Sequence, residues 1–550
     1  MKTHARTRRI GTRLSVGALG LVTSLMLVSC GEPAGVISGW ELTDTTAAPG
    51  GDVAEFSWAL QTEPFSLDYA YAFDYADNQV LANVCEPLLR LEPDFSLQPG
   101  LAESWENPDP TTWVYHLRPN VKFHDGSVMT ADDAVASMRR HLDPAVGSFW
   151  ASVYQNVESV EKTAPLEVTV RTRIPDSQFN EAMGTAAGVV ESAQTLEDKG
   201  ADYGNSSGGV NCTGPLSFSE WSSGESIRLT RFDDYWDPKL RAHAGTVDFM
   251  VMPDANSRTN ALRAGEVDGA WTVPPDSIPL LRDGSGSGSG GDVYFGNNST
   301  VASMVVGDME GPLGDVRVRK ALMMALDREG ILKAGYGGYG EVTDALTVPF
   351  VWHGVDPAVR DEAFSSLSHY ERDVDVAKQL VREAGAEGKE VTIATAPIGN
   401  DFSVTSQATA AALTELGMKP TIKTVTPNEY TTLFSDPNAR KGVDLFYTQW
   451  YVSSPDALEM YSVLRSGEFS NYGGWKNPEF DELVNRAVQT EDPTKRAELT
   501  AQAQRIANDQ LPWLPLFAPP TSVYLSDRIT GVSPSINFMY YPWAATVGAR

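Results

Sequence analysis

Apolar and polar positions change period repeatedly along this chain. Trp113, Tyr115 and Leu117 alternate with their neighbours and predict a strand. Val168 with Val170, Ile227 with Leu229, and Val391 with Ile393 give shorter strand signals of the same kind. Other stretches follow the helical spacing. Thr130 and Asp133 have the form of a capping box, and Val135, Met138 and Leu142 behind them share one face. Asp315 is a cap for a second helix, in which Val318, Ala321, Leu322, Ala325 and Leu326 form the apolar stripe. Phe480, Leu483, Val484, Ala487 and Val488 repeat that spacing in a third. Strands and helices intermix with Gly and Pro between them, which predicts a mixed α/β body. These stripes are core faces and carry no chemistry.

The 550 residues exceed what one core usually organises, so at least two lobes are expected. From Asp283 to Asp292 the chain is a Gly-Ser run with nothing to pack, read as a mobile surface loop. The amino terminus differs from everything after it. Lys2, Arg6, Arg8, Arg9 and Arg13 precede an apolar stretch from Leu14 to Val28, which ends at Leu27, Val28, Ser29 and Cys30. A basic head, an apolar run too short to span a bilayer and a small-residue cleavage site predict a secretory signal over residues 1–29. The four residues ending in Cys30 look like a bacterial lipobox, making Cys30 the lipidated first residue of the mature chain. Residues 30–50 are rich in Gly, Ala, Ser, Thr and Pro and are expected to form a flexible tether.

Removing residues 1–29 removes five basic and no acidic side chains, taking the formal net charge from −29 to −34. Such a body is repelled by phosphate backbones, which excludes nucleic acid as a partner. Membrane attachment would come from the lipid on Cys30. Cys85 and Cys212 remain; in an exported protein they either form one disulfide or stay as two separate thiols.

Catalytic chemistry is hard to find. Gly204, Ser206 and Gly208 match the spacing of a nucleophile elbow, but no strand leads in and no helix pattern leads out, so a polar loop is expected. The histidines lack the spacing of a zinc helix, and no metal or cofactor is expected. A secreted hydrolase would need Ser206 to sit in a different context.

An ordered set of motifs carries a resemblance over nearly the whole mature chain. It runs from Leu101–Trp105 through Trp113–Arg118, Val121–Gly126 and Thr130–Val135 to Cys212–Pro215, Tyr235 with Trp236, and Gly265–Asp268. It continues with Pro312, Leu313 and Asp315–Leu322, then Asn471 with Tyr472, Asn477–Asp481, and Pro512–Leu516. The set resembles the extracellular solute-binding proteins of family 5, the oligopeptide-, dipeptide- and nickel-binding components of bacterial ABC importers. The resemblance implies a two-lobed, type II periplasmic-binding-protein fold with a ligand cleft between the lobes. Lobe I would take residues 51–300, with a subdomain at about 93–215; lobe II would take 301–505, and 506–550 would return to lobe I. It implies a monomeric binding protein and no enzyme, delivering a small ligand, expected to be a peptide, to a permease and its ATPase.

In the resembled family the strand end matching Gln449–Tyr451 faces the cleft, so Trp450 and Tyr451 are the leading ligand contacts. Asn471, Tyr472 and Trp475 follow in the next motif, and Trp271 would face them from lobe I. Peptide binders of that family carry an aspartate a few residues after the tryptophan, paired with the peptide's amino terminus. Here the first acid is Asp456, beyond Pro455. Either Asp456 reaches the ligand, or the ligand lacks a free amine, as an oligosaccharide or a modified peptide would.

Overall fold

The structure, a computed structural model, describes residues 40–282 and 290–550. The signal segment, Cys30, residues 30–39 of the expected tether and most of the Gly-Ser run lie outside the described residues. Among the described residues, no helix is long and apolar enough to cross a membrane.

Two large sheets organise the chain. The first has seven strands, in the order Gly291–Gly296, Thr521–Ser526, Gly269–Trp271, Val53–Leu60, Ala244–Val251, Ser226–Arg231 and Leu216–Ser222. Val53–Leu60 runs parallel to both of its neighbours, while the other pairs are antiparallel. The second has six, in the order Glu341–Val342, Trp513–Ala518, Thr300–Val306, Leu445–Tyr451, Glu390–Thr395 and Lys419–Thr424. A four-stranded antiparallel sheet, from Ala102–Asp109 to Val157–Ala164, shares a core with the seven-stranded one.

Every residue of Thr300–Val306 is buried, because its two faces meet two different cores. Val301 and Val305 point into one, and Ala302, Met304 and Val306 into the other. The cores also divide by sequence. The largest draws on residues 56–271 and 523–547, whereas the two around the six-stranded sheet draw only on 301–517. This is the physical meaning of two lobes: each buries its own apolar surface. The chain crosses between the sheets at 297–299 and again at 519–520. The second crossing comes later than the expected return at 506, because Trp513–Ala518 pairs with Thr300–Val306 and stays in the six-stranded sheet.

The predicted helix starts form as the residue chemistry requires. Thr130 and Asp133 make a reciprocal capping box on the helix Ala131–Leu142. Asp315 caps Val316–Ala325, and Asn477 caps Pro478–Val488 with Pro478 in the first turn. Residues 40–50 differ from the tether expected of them. Trp40 packs on Phe295, the Thr43 amide donates to the Phe295 carbonyl at 2.6 Å, and the Thr46 hydroxyl donates to the Val532 carbonyl at 2.9 Å. Composition suggested a free segment, but these few apolar and hydroxyl groups find partners on the edge of the first sheet.

Several sequence motifs turn out to be internal joints. Glu86, buried, accepts from Thr213 Oγ1 at 2.8 Å, Tyr235 Oη at 2.7 Å and Trp236 Nε1 at 2.9 Å, so two separate motifs close on one carboxylate. Beside it Cys85 and Cys212 are joined in a disulfide with their Cα atoms 4.9 Å apart. Asp268 accepts from the Ser57 amide, Ser526 Oγ and Arg528 Nη1, tying three strands of the first sheet together. Gly265 just before it takes a φ of 71°, the left-handed conformation that ends the helix Ala255–Ala264.

Candidate functional site

The strand Leu445–Tyr451 ends where the two sheets meet. Successive side chains of a strand point to opposite faces, and this divides the two residues that sequence placed together. Tyr451 reaches across to the seven-stranded side. Its hydroxyl donates to the Phe73 carbonyl at 2.8 Å and lies 3.3 Å from the Tyr540 hydroxyl. Its ring meets the edge of Tyr75 at 5.6 Å. Tyr75 answers from the other direction, its hydroxyl 3.4 Å from both the Gln449 carbonyl and Thr300 Oγ1. Burial pushes the Tyr75 and Tyr451 hydroxyls far above their usual range, so both remain neutral donors.

Trp450 turns the other way. It lies 5.3 Å from Trp513 and 6.3 Å from Tyr472, which itself stacks on Trp513 at 6.0 Å. The Trp450 indole N–H is buried with no hydrogen-bond partner. Trp450 and Tyr472 are therefore brought together, on the six-stranded side. Asn471 is spent on its own turn, donating to the carbonyls of Leu464, Arg465 and Trp475 and accepting from the Trp475 amide. Trp475 packs on Phe480 at 4.9 Å.

Trp271 corrects an expectation. It does not face Trp450 across an opening. It is 1% exposed, stacked on Phe538 at 4.6 Å and packed against Trp58 and Trp543. The short strand Gly269–Trp271 lies between two longer ones, so its side chains enter the core. A chain of rings nevertheless links it to the seam: Trp271 to Phe538, Phe538 to Tyr75 at 6.4 Å, and Tyr75 to Tyr451.

Asp456 is likewise engaged. Arg496 Nε lies 2.7 Å from Asp456 Oδ2, and Arg496 Nη2 lies 3.2 Å from Glu181 Oε1 on the seven-stranded side. This guanidinium bridges two carboxylates from different lobes. Burial first, then the Asp456 carboxylate, pushes Glu181 up to about 8 despite the arginine. The same joint is held by the Ser177 amide donating to the Val488 carbonyl at 2.8 Å and by Ser462 Oγ donating to Gln178 Oε1 at 2.7 Å.

Sequence reasoning missed Phe73, Tyr75, Tyr540 and Arg496. The signal for the first two was visible as a run of aromatics between Tyr69 and Tyr75, punctuated by Asp74. Arg496 carried no local signal, since its partners are distant in sequence. Ser206 lies in an exposed turn with neither a strand before it nor a helix after it. His124 Nε2–H donates to the Gly214 carbonyl at 3.0 Å, and burial pushes the imidazole down to about 4, a neutral structural role. Among the described residues, Cys85, Cys212 and Glu191 bring three ligand-type atoms within 4.8 Å, but the disulfide uses both sulfurs.

Tyr75 and Tyr451 thus bring side chains of both lobes together at the seam between two separately packed sheets. Comparison with known proteins identifies the family. The family model for "Bacterial extracellular solute-binding proteins, family 5 Middle" matches residues 96–508. The glutathione-binding protein GsiB of Shigella dysenteriae is 25% identical over 543 residues, covering 96% of this chain and 98% of that protein. Two solved structures share the fold. AgaA from A. tumefaciens R10, in complex with agropinic acid, aligns with a TM-score of 0.80 at 20% identity, over 90% of this chain and 99% of that one. DppA from Helicobacter pylori, in complex with the peptide STSA, aligns with a TM-score of 0.79 at 20% identity, over 91% and 98%. The chain belongs to the bacterial extracellular solute-binding proteins of family 5, a family of binding proteins and not of enzymes.

Proposed function

We propose that this protein is exported, cleaved before Cys30, held to the outer face of the membrane by lipid on that cysteine, and captures short peptides for an ABC permease and its ATPase. The observation that carries this reading is the reach of Tyr451 from the six-stranded side to Phe73 and Tyr540 on the other. Such a contact exists only while the lobes are together. A solute touching both lobes favours that arrangement by its differential affinity for it, which is the requirement for hinge closure. The ligand would lie along the seam marked by Tyr75 and Tyr451, with Trp450 and Tyr472 behind the strand end as its support. The names of the relatives, a glutathione binder and a peptide complex among them, favour peptides.

A second reading has its own observation. Asp456, the first acid following Trp450, is committed to Arg496 and is not free to meet an amine. A non-peptide solute would not need one. A thermal-shift screen of the mature protein decides between them. Stabilisation by tri- to pentapeptides supports the first, and a response to oligosaccharides with none to peptides replaces it by the second. In the same assay Tyr451→Phe removes the bonds to Phe73 and Tyr540 and keeps the ring. The expected loss of ligand affinity is about three- to tenfold, the worth of one ordinary hydrogen bond, with the fold intact. Unchanged affinity would place Tyr451 outside the closing contact.

A further inference from the structure

One buried carboxylate in this region has no cation. Asp401 lies in the first turn of the helix Asn400–Glu415 and is 5% exposed. Gln449 Nε2 donates to its Oδ2 at 2.7 Å, and Gln449 Oε1 in turn accepts from Tyr336 Oη at 3.2 Å. The Tyr447 hydroxyl is buried against the same carboxylate, and the buried hydroxyls of Thr405 and Thr409, one and two turns further along the same helix face, have no hydrogen-bond partner. Among the described residues, Asp401 makes no ion pair. A charge buried with neutral donors only is costly, and burial pushes Asp401 up to about 6. The cluster is not remote from the seam. Gln449 precedes Trp450, and its carbonyl is 3.4 Å from the hydroxyl of Tyr75 on the opposite lobe.

We propose that Asp401 is the carboxylate that receives a primary ammonium of the ligand, with Gln449 as the neutral stand-in that yields to it. The bond from the Gln449 amide has only its acceptor charged; an ammonium in place of that amide adds the attraction of the opposite charge. Asp401 would then do the work for which Asp456 is unavailable. This inference rests on the peptide reading above.

The test is calorimetric titration of the mature protein with one tetrapeptide in two forms, free at its amino terminus and N-acetylated. Wild-type protein is expected to bind the free form about tenfold or more tightly than the acetylated form. Asp401→Asn is expected to bring the free form down to the acetylated level and leave the acetylated one unchanged. Equal affinity of wild-type protein for both forms, or equal loss of both in the variant, overturns the role of Asp401. Wild-type protein that binds neither form overturns the peptide reading itself, a distinct outcome because both arms fail together. If Asp401→Asn does not fold, the wild-type ratio at pH 7.5 and 5.0 is decisive, since protonating Asp401 should shrink the penalty of acetylation. The titratable groups facing Asp401 are Tyr336, Tyr430 and Tyr447, all buried and held above their usual range, so they stay neutral over this interval. Glu181 is pushed up to about 8, above this interval, and bears on both peptide forms alike, so the ratio isolates Asp401. A ratio that does not change with pH overturns the proposal.

Discussion

Arg496→Met is expected to lower the stability of this protein by on the order of 3 kcal/mol, the low end for removing one member of a buried ionic cluster. The arginine side chain is 12% exposed, and its partners Asp456 and Glu181 are 11% and 21% exposed. Methionine fills much of the space but leaves Asp456 without its cation. The loss is not larger because Glu181, with its carboxyl pushed up to about 8, already carries a proton at neutral pH. The same fact gives a pH signature. A carboxyl whose folded pKa lies above its unfolded value of 4.5 binds more protons folded than unfolded between those limits. Stability from Glu181 is therefore fully present below about 4.5 and is lost as pH rises through about 8. Glu191, pushed up to about 8 by burial and by Asp68, acts in the same direction. Carboxylates held low at helix starts, such as Asp254 and Asp315, lose their contribution only as pH falls below their ordinary range near 3.8. Melting curves of wild-type protein should thus shift upward between pH 8 and pH 5. An Arg496→Met variant that melts with wild type at pH 7 would show that Asp456 finds solvent or another donor.

The second large effect belongs to the disulfide. Cys85 and Cys212 are separated by 127 residues, so the bridge removes much of the freedom of a long unfolded loop. Loop-closure entropy for that length is about 5 kcal/mol, an upper value because residual structure in the unfolded chain reduces it. The bridge also anchors the Glu86 joint, since Thr213 follows Cys212 and donates to that carboxylate. The paired variant Cys85→Ala with Cys212→Ala avoids a lone thiol and is expected to melt several degrees lower. Wild-type protein in strong reductant should approach the same value. A variant that melts with wild type would show that the bridge contributes nothing.

The outcomes across the chain follow a physical division. Local periodicity was sufficient for Ala131–Leu142, Val316–Ala325 and Pro478–Val488, because a cap and an apolar stripe lie within one helix and need no distant partner. The four short strand signals also sit inside observed strands, at Thr112–Leu117, Glu167–Thr172, Ser226–Arg231 and Glu390–Thr395. The family motifs were legible for the same reason, and several of them prove to be joints such as those at Glu86 and Asp268. The aromatic contacts were half legible. Ring chemistry singled out Trp450, Tyr451 and Trp271, but strand alternation sends the first two to opposite faces, and a central strand carries the third into the core.

The class of protein, its mixed α/β build and the apolar faces of three helices were thus already contained in the order of the residues, through motifs, caps and stripes whose members lie a few positions apart. Which side chains meet at the seam was not. Tyr451 with Phe73, Arg496 with Glu181, and the cation-free setting of Asp401 each arise from residues or whole lobes far apart in the chain. Charge pairing and burial are properties of three-dimensional neighbourhoods, and those exist only after the two sheets have come together.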